Sequence, residues 1–390
     1  MLSRRSAYRL VIGILLLGMT LGLAACRPMV QPAQTPEATN IPPTTASQST
    51  TGPGQTTGSI KVTDDVGREV KLDKLPQRIV VVGRASYMVL HMLYLFPEGR
   101  ERLVGFDKKP MTSMEFLQLI DPNLSDRVVL EGTPGVEQIA ALKPDLVLMK
   151  SPAAEDVNKG LGEVGIPVVY LGLETPTQFE KDLANLGLLL GSTARAQEIA
   201  TFYQSRLDMV EQALAGIAEA QKPRVLLCQY STKGNEVAVS VPAEAWMQTI
   251  QVKKAGGIPV WLENVEPASG WKVINLEQVV QWNPDQIVIV AYSADPEEIT
   301  AKLRADPIWS ALDAVKQGHL HIFPADFIGW DMPDPRWILG TEWLATRFYP
   351  DRLADLNMAD EVHQFFSQIY GMDESAVDAQ VMPKVKLDVH

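Results

Sequence analysis

The sequence predicts an α/β fold: two similar lobes on parallel sheets, joined by one long helix, with a ligand cleft between them. A repeat, a run of apolar strands and a long helical stretch predict it. The repeat is a thirteen-residue pattern whose copies lie 140 positions apart, Val136–Leu148 and Leu276–Val288. Each copy opens with Glu-Gln (Glu137-Gln138, Glu277-Gln278), continues as a short amphipathic helix, turns at Pro-Asp (Pro144-Asp145, Pro284-Asp285) and ends in an apolar run. A helix feeding a buried strand is the mark of a parallel α/β sheet. Two copies imply two lobes, and a cleft between lobes binds ligands.

The chain begins with a targeting pattern. Arg4, Arg5 and Arg9 precede the apolar stretch Leu10 to Leu23, which is too short for an ordinary membrane span. Leu23-Ala24-Ala25-Cys26 resembles a bacterial lipobox, so residues 1–25 read as a lipoprotein signal peptide and Cys26 as the lipidation site. Export by the Sec route or the twin-arginine route is left open by Ser3-Arg4-Arg5. Residues 26–59 are rich in Pro, Thr, Ser, Gln and Gly without an aromatic residue, a composition expected to form a disordered tether.

The chain has 390 residues and a formal net charge of −12, which becomes −15 (−12 minus 3) once the three signal arginines are gone. An acidic body of this size suits two domains with real cores, not nucleic acid or flat docking on anionic lipid. Hydrophobic content of 46% and charge of 21% are those of a globular protein. Of the two cysteines, Cys228 has no partner if Cys26 is acylated. It reads as a buried, inert thiol, and no thiolate zinc site or disulfide framework is available.

Along the body, Thr63 to Val70 reads as a hairpin and Arg78 to Gly83 as the first core strand. A helix capped by Ser86 follows, with Met88, Leu90, Leu93 and Tyr94. Leu103 to Phe106, Val128-Val129, Leu146 to Met149 and Val168 to Leu171 complete an N-terminal lobe, residues 60–175. Residues 176–222 are helical. Thr193 caps a stretch in which Ile199, Phe202, Tyr203, Leu207, Val210 and Leu214 recur at helical spacing, predicting about 27 residues and about 40 Å of helix that Pro223 ends. Such a helix is a stiff hinge. The C-terminal lobe, residues 223–372, opens with Val225 to Cys228 and runs through Ile287 to Val290 and His319 to Phe323. Helices follow from Pro335 to Tyr349 and from Glu361 to Tyr370. Residues 373–390 lack periodicity and read as a loose tail.

These motifs occur in a telling order: lipobox, tether, Val62-Thr63-Asp64-Asp65-Val66-Gly67-Arg68-Glu69-Val70, Arg78-Ile79-Val80-Val81-Val82, the first repeat copy and the long helix. Ala255-Gly256-Gly257, Asp306-Pro307-Ile308-Trp309, Ala314 to Gly318 and Phe365 to Gly371 come after. Residues 60–372 so ordered resemble the substrate-binding lipoproteins of ferric-siderophore, haem and cobalamin ABC importers, the class III periplasmic binding proteins. The resemblance implies two Rossmann-like α/β lobes bridged by a single long α-helix, little opening and closing, and a ligand in the cleft between them. It implies capture of an iron chelate or a cobalamin-like corrinoid and delivery to a permease dimer with its ATPase. It also implies docking on that permease through one surface glutamate per lobe, here Glu137 and Glu277. An acidic residue in a first helical turn is also favourable in itself. The protein is then expected to be a monomer, extracytoplasmic and lipid-anchored, on the periplasmic or the outer face, with no resident cofactor.

Ligands of parallel α/β sheets bind beyond the carboxyl ends of the strands. That rule selects Arg84 and Tyr87, Lys150 and Ser151, Tyr230 and Ser231, and Tyr292. All eight tryptophans lie at 246 or later. Trp246, Trp261, Trp271 and Trp330 sit in loop-like sequence, whereas Trp282, Trp309, Trp337 and Trp343 look like helix-face core. An aromatic cleft wall suits a flat or macrocyclic ligand, and an aromatic core accounts for the same residues. The loop candidate is Phe327 to Trp337, in which Phe327, Trp330 and Arg336 are singled out. Arg336 forks onto a ligand carboxylate or phosphate, or pairs with Asp331 or Asp334.

His319 and His321 share one side of a strand, but no Asp/Glu/His set has metal-ligand spacing. A binder of bare metal or of an oxyanion such as molybdate is the alternative of the same architecture. An extracytoplasmic enzyme, chelatase-like or reductase-like, is the third reading. Against it, the sequence carries no Walker loop, Gly-x-Ser-x-Gly elbow, His-Glu-x-x-His motif or dinucleotide fingerprint.

Overall fold

The computed structural model describes residues 59–151, 155–233, 236–263, 270–292 and 295–387. Cys26, the signal segment and the tether lie outside them.

The hairpin is β1 (Ile60–Thr63) against β2 (Glu69–Leu72), turned by Gly67 at φ 82°. The first lobe then alternates strand and helix. In order it holds β3 (Ile79–Val81), α1 (Ser86–Leu93), α2 (Pro97–Arg102), β4 (Leu103–Asp107), α3 (Met114–Ile120) and β5 (Val128–Leu130). α4 (Val136–Ala141), β6 (Leu146–Lys150), α5 (Glu155–Glu163) and β7 (Val168–Leu171) follow. The sheet is wholly parallel in the order β5-β4-β3-β6-β7, so β3 is its centre and the chain winds outward both ways. Because side chains alternate, Val80, Val82, Val147, Met149 and Tyr170 pack with Ile139 of α4 and Leu161 of α5. Ile79, Val81, Leu146 and Leu148 face the other way, into a core that continues into the second lobe.

Two helices join the lobes. Thr175 accepts the Gln178 N–H and starts α6 (Pro176–Leu190), which ends at Gly191 with φ 73°. α7 (Thr193–Ala213) is the hinge helix, 21 residues long and about 31 Å by its rise. It is shorter than the apolar spacing predicts. Leu214 closes its last turn, and Gly216 at φ 80° sends the chain away before Pro223. Thr193 is its first helical residue and not its cap. Ser192 takes that position and donates its hydroxyl to Glu98. Ser86 likewise begins α1 and does not cap it. Ala85, at φ 51°, precedes it, and the Ser86 hydroxyl donates to the Asp107 carbonyl.

The second lobe runs β8 (Arg224–Lys233), β9 (Glu236–Val241), α8 (Met247–Lys254), β10 (Ile258–Pro259), β11 (Lys272–Ile274), α9 (Leu276–Trp282), β12 (Gln286–Val290), α10 (Pro296–Ala305), α11 (Asp313–Lys316) and β13 (Leu320–Ile322). α12 (Trp337–Phe348) and α13 (Met358–Tyr370) close it. Its sheet is mixed: β8, β12 and β13 are parallel, and β9 and β11 add antiparallel strands at one edge. The C-terminal segment is not loose. Val377 and Val381 are fully buried, Leu387 accepts the Trp343 indole N–H, and Lys384 pairs with Glu115 of the first lobe.

The repeat has a structural meaning in both copies. Gln138 and Gln278 accept the cap-residue N–H of their own helices, those of Gly135 and Asn275. Lys143 and Asn283 both adopt positive φ at the helix end. Asp145 accepts the Arg78 N–H and Asp285 the Arg224 N–H, each at 2.8 Å, at the start of the neighbouring strand. Both arginine side chains in turn donate to the last carbonyls of the helix, Arg78 to Leu142 and Arg224 to Trp282. Glu137 and Glu277 are exposed and make no bond with any described residue.

Candidate ligand cleft between the lobes

The carboxyl ends of both parallel sheets meet at one junction. On the first lobe, β3 leads through Val82 into Gly83, whose N–H donates to Asp107 at the end of β4. The turn carries Arg84 into solvent, without an ion pair among the described residues. In the first turn of α1, Tyr87 is buried, and its hydroxyl lies 3.6 Å from the Met111 sulfur and 3.9 Å from the Met332 sulfur of the second lobe. Burial, with the charges of Asp334, Asp331 and Glu174, pushes its phenol well above the usual range. Lys150, the last residue of β6, is buried and pairs with Glu174, which follows β7. Lys109 is likewise neutralised, by Asp107 at 2.7 Å. Arg84, and Lys108 just after β4, are thus exposed cations of this edge without an ion pair among the described residues.

The second lobe answers with rings. Trp246 precedes α8, Trp271 precedes β11 and Tyr292 follows β12; all three are half-buried. Trp246 and Trp271 meet edge to face at 5.9 Å, and Trp271 and Tyr292 at 6.3 Å. The Tyr292 hydroxyl donates to Asp331 at 2.5 Å, and the Gln248 amide of α8 donates to the same oxygen at 3.1 Å. Burial pushes the Asp331 carboxyl up to about 6, against the lowering effect of these two bonds. Tyr230, at the end of β8's parallel half, is buried and joins none of these ring contacts.

Two of the singled-out residues lie elsewhere. Arg336 has no exposed surface and does not reach a ligand. Its Nε meets Asp326 at 2.7 Å, its Nη1 meets Asp334 at 2.9 Å, and its guanidinium lies 4.2 Å over the Phe116 ring of the first lobe. Burial alone would lower its basicity, but the two carboxylates outweigh that and raise it. Asp334 is pushed up by burial yet held at about 2 by His91 and Arg336. His91 of α1 contacts Asp334 directly, so this network ties the lobes together. Trp330 is also fully buried, its indole N–H donated to Asp326 at 3.1 Å, and Trp261 is buried with its N–H on the Pro242 carbonyl. A buried indole has spent its donor and its faces on the core, so both are scaffold. Phe327 is half-buried and its ring lies 5.4 Å from Phe116, part of the same interlobe packing.

Four residues of the junction escape the rule of strand ends: Asp331, Gln248, Met111 and Glu174. Glu174 is three residues past a strand end, and Gln248 two past Trp246, so proximity to singled-out residues was their only sequence signal. A separate groove of about 460 Å3 runs along α6 and α7, with Phe179, Tyr203, Lys254 and Trp337 in its lining, and contains none of the junction residues. His319 and His321 are engaged separately, with the Asp285 carbonyl and with Gln286. Among the described residues no cluster of three His, Cys, Asp or Glu is placed to hold a metal, and no helix is long and apolar enough to cross a membrane. Cys228 is buried, and burial pushes its thiol up.

Residues 121–327 match the family model described as periplasmic binding protein. The chain is 24% identical over 339 residues to the molybdate-binding protein MolA of Haemophilus influenzae, covering 79% of this chain and 90% of that one. It is 24% identical over 246 residues to the Fe(3+) dicitrate-binding periplasmic protein FecB of Escherichia coli, covering 63% and 76%. In structure it is similar to a periplasmic solute binding protein from Veillonella parvula, with a TM-score of 0.66, 21% identity, and coverage of 83% and 97%. With more than half its length matched, and with two α/β lobes joined by a hinge helix, the chain belongs to the periplasmic binding protein family.

Proposed function

We propose that this protein is the substrate-binding component of an ABC importer and that its cargo is a metal chelate or corrinoid bound between the lobes. The observation that supports this most is the aromatic wall Trp246–Trp271–Tyr292, half-buried beside the lobe junction. Covering roughly 200 Å2 of ring surface contributes about 5 kcal/mol at about 25 cal/mol per Å2. A large, flat or ring-bearing ligand collects that energy; a tetrahedral oxyanion does not.

Capture is half of the task, and delivery needs a docking surface. Every repeated polar residue of the two thirteen-residue copies has structural work except Glu137 and Glu277, which stay exposed and unbonded. Repetition without an internal role supports an external one: one glutamate per lobe, each meeting a basic site on a two-fold permease. Lipid on Cys26, with residues 26–59 as tether, would hold the body at the extracytoplasmic face of the membrane.

One observation favours a second reading. The longer of the two curated sequence matches above is to a molybdate-binding protein, which supports an oxyanion as cargo. A thermal-shift panel on the full-length chain separates the two. Ferric catecholates, ferric hydroxamates, haem and cobalamin stand against molybdate and bare divalent metal. Cargo at 100 times its dissociation constant adds about 2.7 kcal/mol of stability. The chelate reading expects a shift with one chelate class only. A shift with molybdate alone would replace it.

A further inference from the structure

The wall of rings in the cleft is closed into a loop by one carboxylate. Starting at Trp246, edge-to-face contacts run through Trp271 to Tyr292. The Tyr292 hydroxyl donates to Asp331 Oδ2, which also accepts from Gln248. Gln248 stands in the first turn of α8, the helix that Trp246 precedes. Asp331 therefore clamps both ends of the wall, the tyrosine directly and the tryptophan through its helix.

The clamp sits on a rigid base. Asp326 accepts the backbone N–H of Ile328, the Trp330 indole and the Arg336 guanidinium, pinning the loop before and after Asp331. Gly329 fits under Asp331 because a Cβ there would lie 2.4 Å from the Asp331 Oδ1. Asp331 is 1% exposed, so a ligand meets the rings and not the carboxylate.

The groups facing Asp331 are all neutral. Tyr292 comes from the loop after β12, Gln248 from α8, and Tyr87 from α1 feels its charge across the junction. Asp326 and Asp334, carboxylates of its own loop, are taken up by Arg336 and His91. No ion pair joins Asp331 to a cation among the described residues. A buried carboxylate held only by neutral donors is poised to take a proton. With the proton on, its bonds to Tyr292 and Gln248 lose the charge assistance that roughly doubles a hydrogen bond.

We infer that Asp331 is a positioning residue for the aromatic wall, and that protonating it loosens the wall and weakens the cleft's hold on an aromatic-faced chelate. This rests on the chelate reading proposed above. It makes binding tight at neutral pH and weak in mild acid, with Tyr292 as the moving part.

Near-ultraviolet circular dichroism and tryptophan fluorescence of the ligand-free, full-length protein, titrated from pH 8 to pH 5, read the wall itself. The wild type should show a step centred near the Asp331 value of about 6. Asp331→Asn should show none, and Tyr292→Phe a smaller one through the Gln248 arm that remains. Cyanocobalamin and a ferric trihydroxamate, both intact over this range, then probe the cleft. The wild type should lose roughly five- to tenfold in affinity for whichever binds, the loss of charge assistance in one or two hydrogen bonds. Asp331→Asn should bind weakly and equally at both ends of the range. A step that survives in Asp331→Asn, or a wild type flat in both readouts, would overturn the clamp. If neither probe binds the wild type, the chelate reading fails by itself, and the ligand-free titration still decides the clamp. Should Asp331→Asn not fold, Gln248→Met, which removes a bond that lowers the Asp331 carboxyl, should move the step to higher pH, and an unmoved step would overturn the clamp.

Discussion

Replacing Arg336 with methionine keeps most of the side-chain volume and removes one charge from the lobe junction. The cation it deletes bonds Asp326 at 2.7 Å and Asp334 at 2.9 Å, with all three side chains shielded from water. Two carboxylates would then be buried with His91 as their one remaining ionisable partner. Breaking a buried ion pair from one side costs about 3–5 kcal/mol. Asp334 gives a consistent figure: held at about 2 when folded and near 3.9 when unfolded, it contributes about 3 kcal/mol. Its folded value is depressed, so that stability is present above about pH 4 and is lost as pH falls toward 2. The Arg336→Met gap should therefore be widest at neutral pH and narrow below pH 4. Guanidinium unfolding followed by tryptophan fluorescence at pH 7.5 and pH 3.5 measures both. A variant within about 1 kcal/mol of wild type at pH 7.5, yet unable to bind chelate, would refute the structural role and restore Arg336 as a ligand fork.

Other perturbations probe separate parts of the molecule. Glu342 is buried in α12 with neither carboxyl oxygen bonded, and burial pushes it well above its usual range. Glu342→Gln should raise the unfolding midpoint at pH 8 and converge with wild type below about pH 4, since a raised folded value favours the protonated state; a less stable variant at pH 8 contradicts this. Gly340→Ala would put a Cβ 2.5 Å from the Trp330 carbonyl and 2.6 Å from the Gln251 amide, so it should cost about 1–3 kcal/mol in thermal melts, and a neutral substitution would show the helix to be free to shift. Glu137→Lys with Glu277→Lys should leave cargo affinity and stability unchanged and abolish uptake in cells, whereas intact uptake would remove the docking proposal.

Much of this fold was legible because its signals are local. Gln138 and Gln278 cap their own helices, Asp145 and Asp285 hold the next strand, and neither needs distant sequence to be recognised. The hinge helix was overestimated because apolar spacing persists to Leu214, while Gly216 and the turn it makes carry no period. The mixed edge of the second sheet was unreadable: β9 and β11 alternate like any strand, and their direction is a matter of pairing. The site was half legible. Arg84, Tyr87, Lys150, Trp246, Trp271 and Tyr292 could be picked out because strand ends and loop tryptophans are sequence features. Arg336 and Trp330 share the composition of a binding loop, and what separates them is Asp326, ten residues upstream of Arg336, folded back beneath both. Asp331 stands in the same segment, but only the fold brings Gln248 and Tyr292 to it.

The central proposal is that the rings of the second lobe hold a chelate against Tyr87 and Arg84. Trp271 joins Trp246 to Tyr292 and is the ring to remove. Calorimetric titration of wild type and Trp271→Ala, with the chelate that shifts the wild-type melt, tests this most directly. Saturable one-to-one binding in the wild type, weakened by about 2 kcal/mol or more in Trp271→Ala while molybdate gives no heat, is the predicted result. Equal affinity in the two proteins, or heat from molybdate alone, would contradict it.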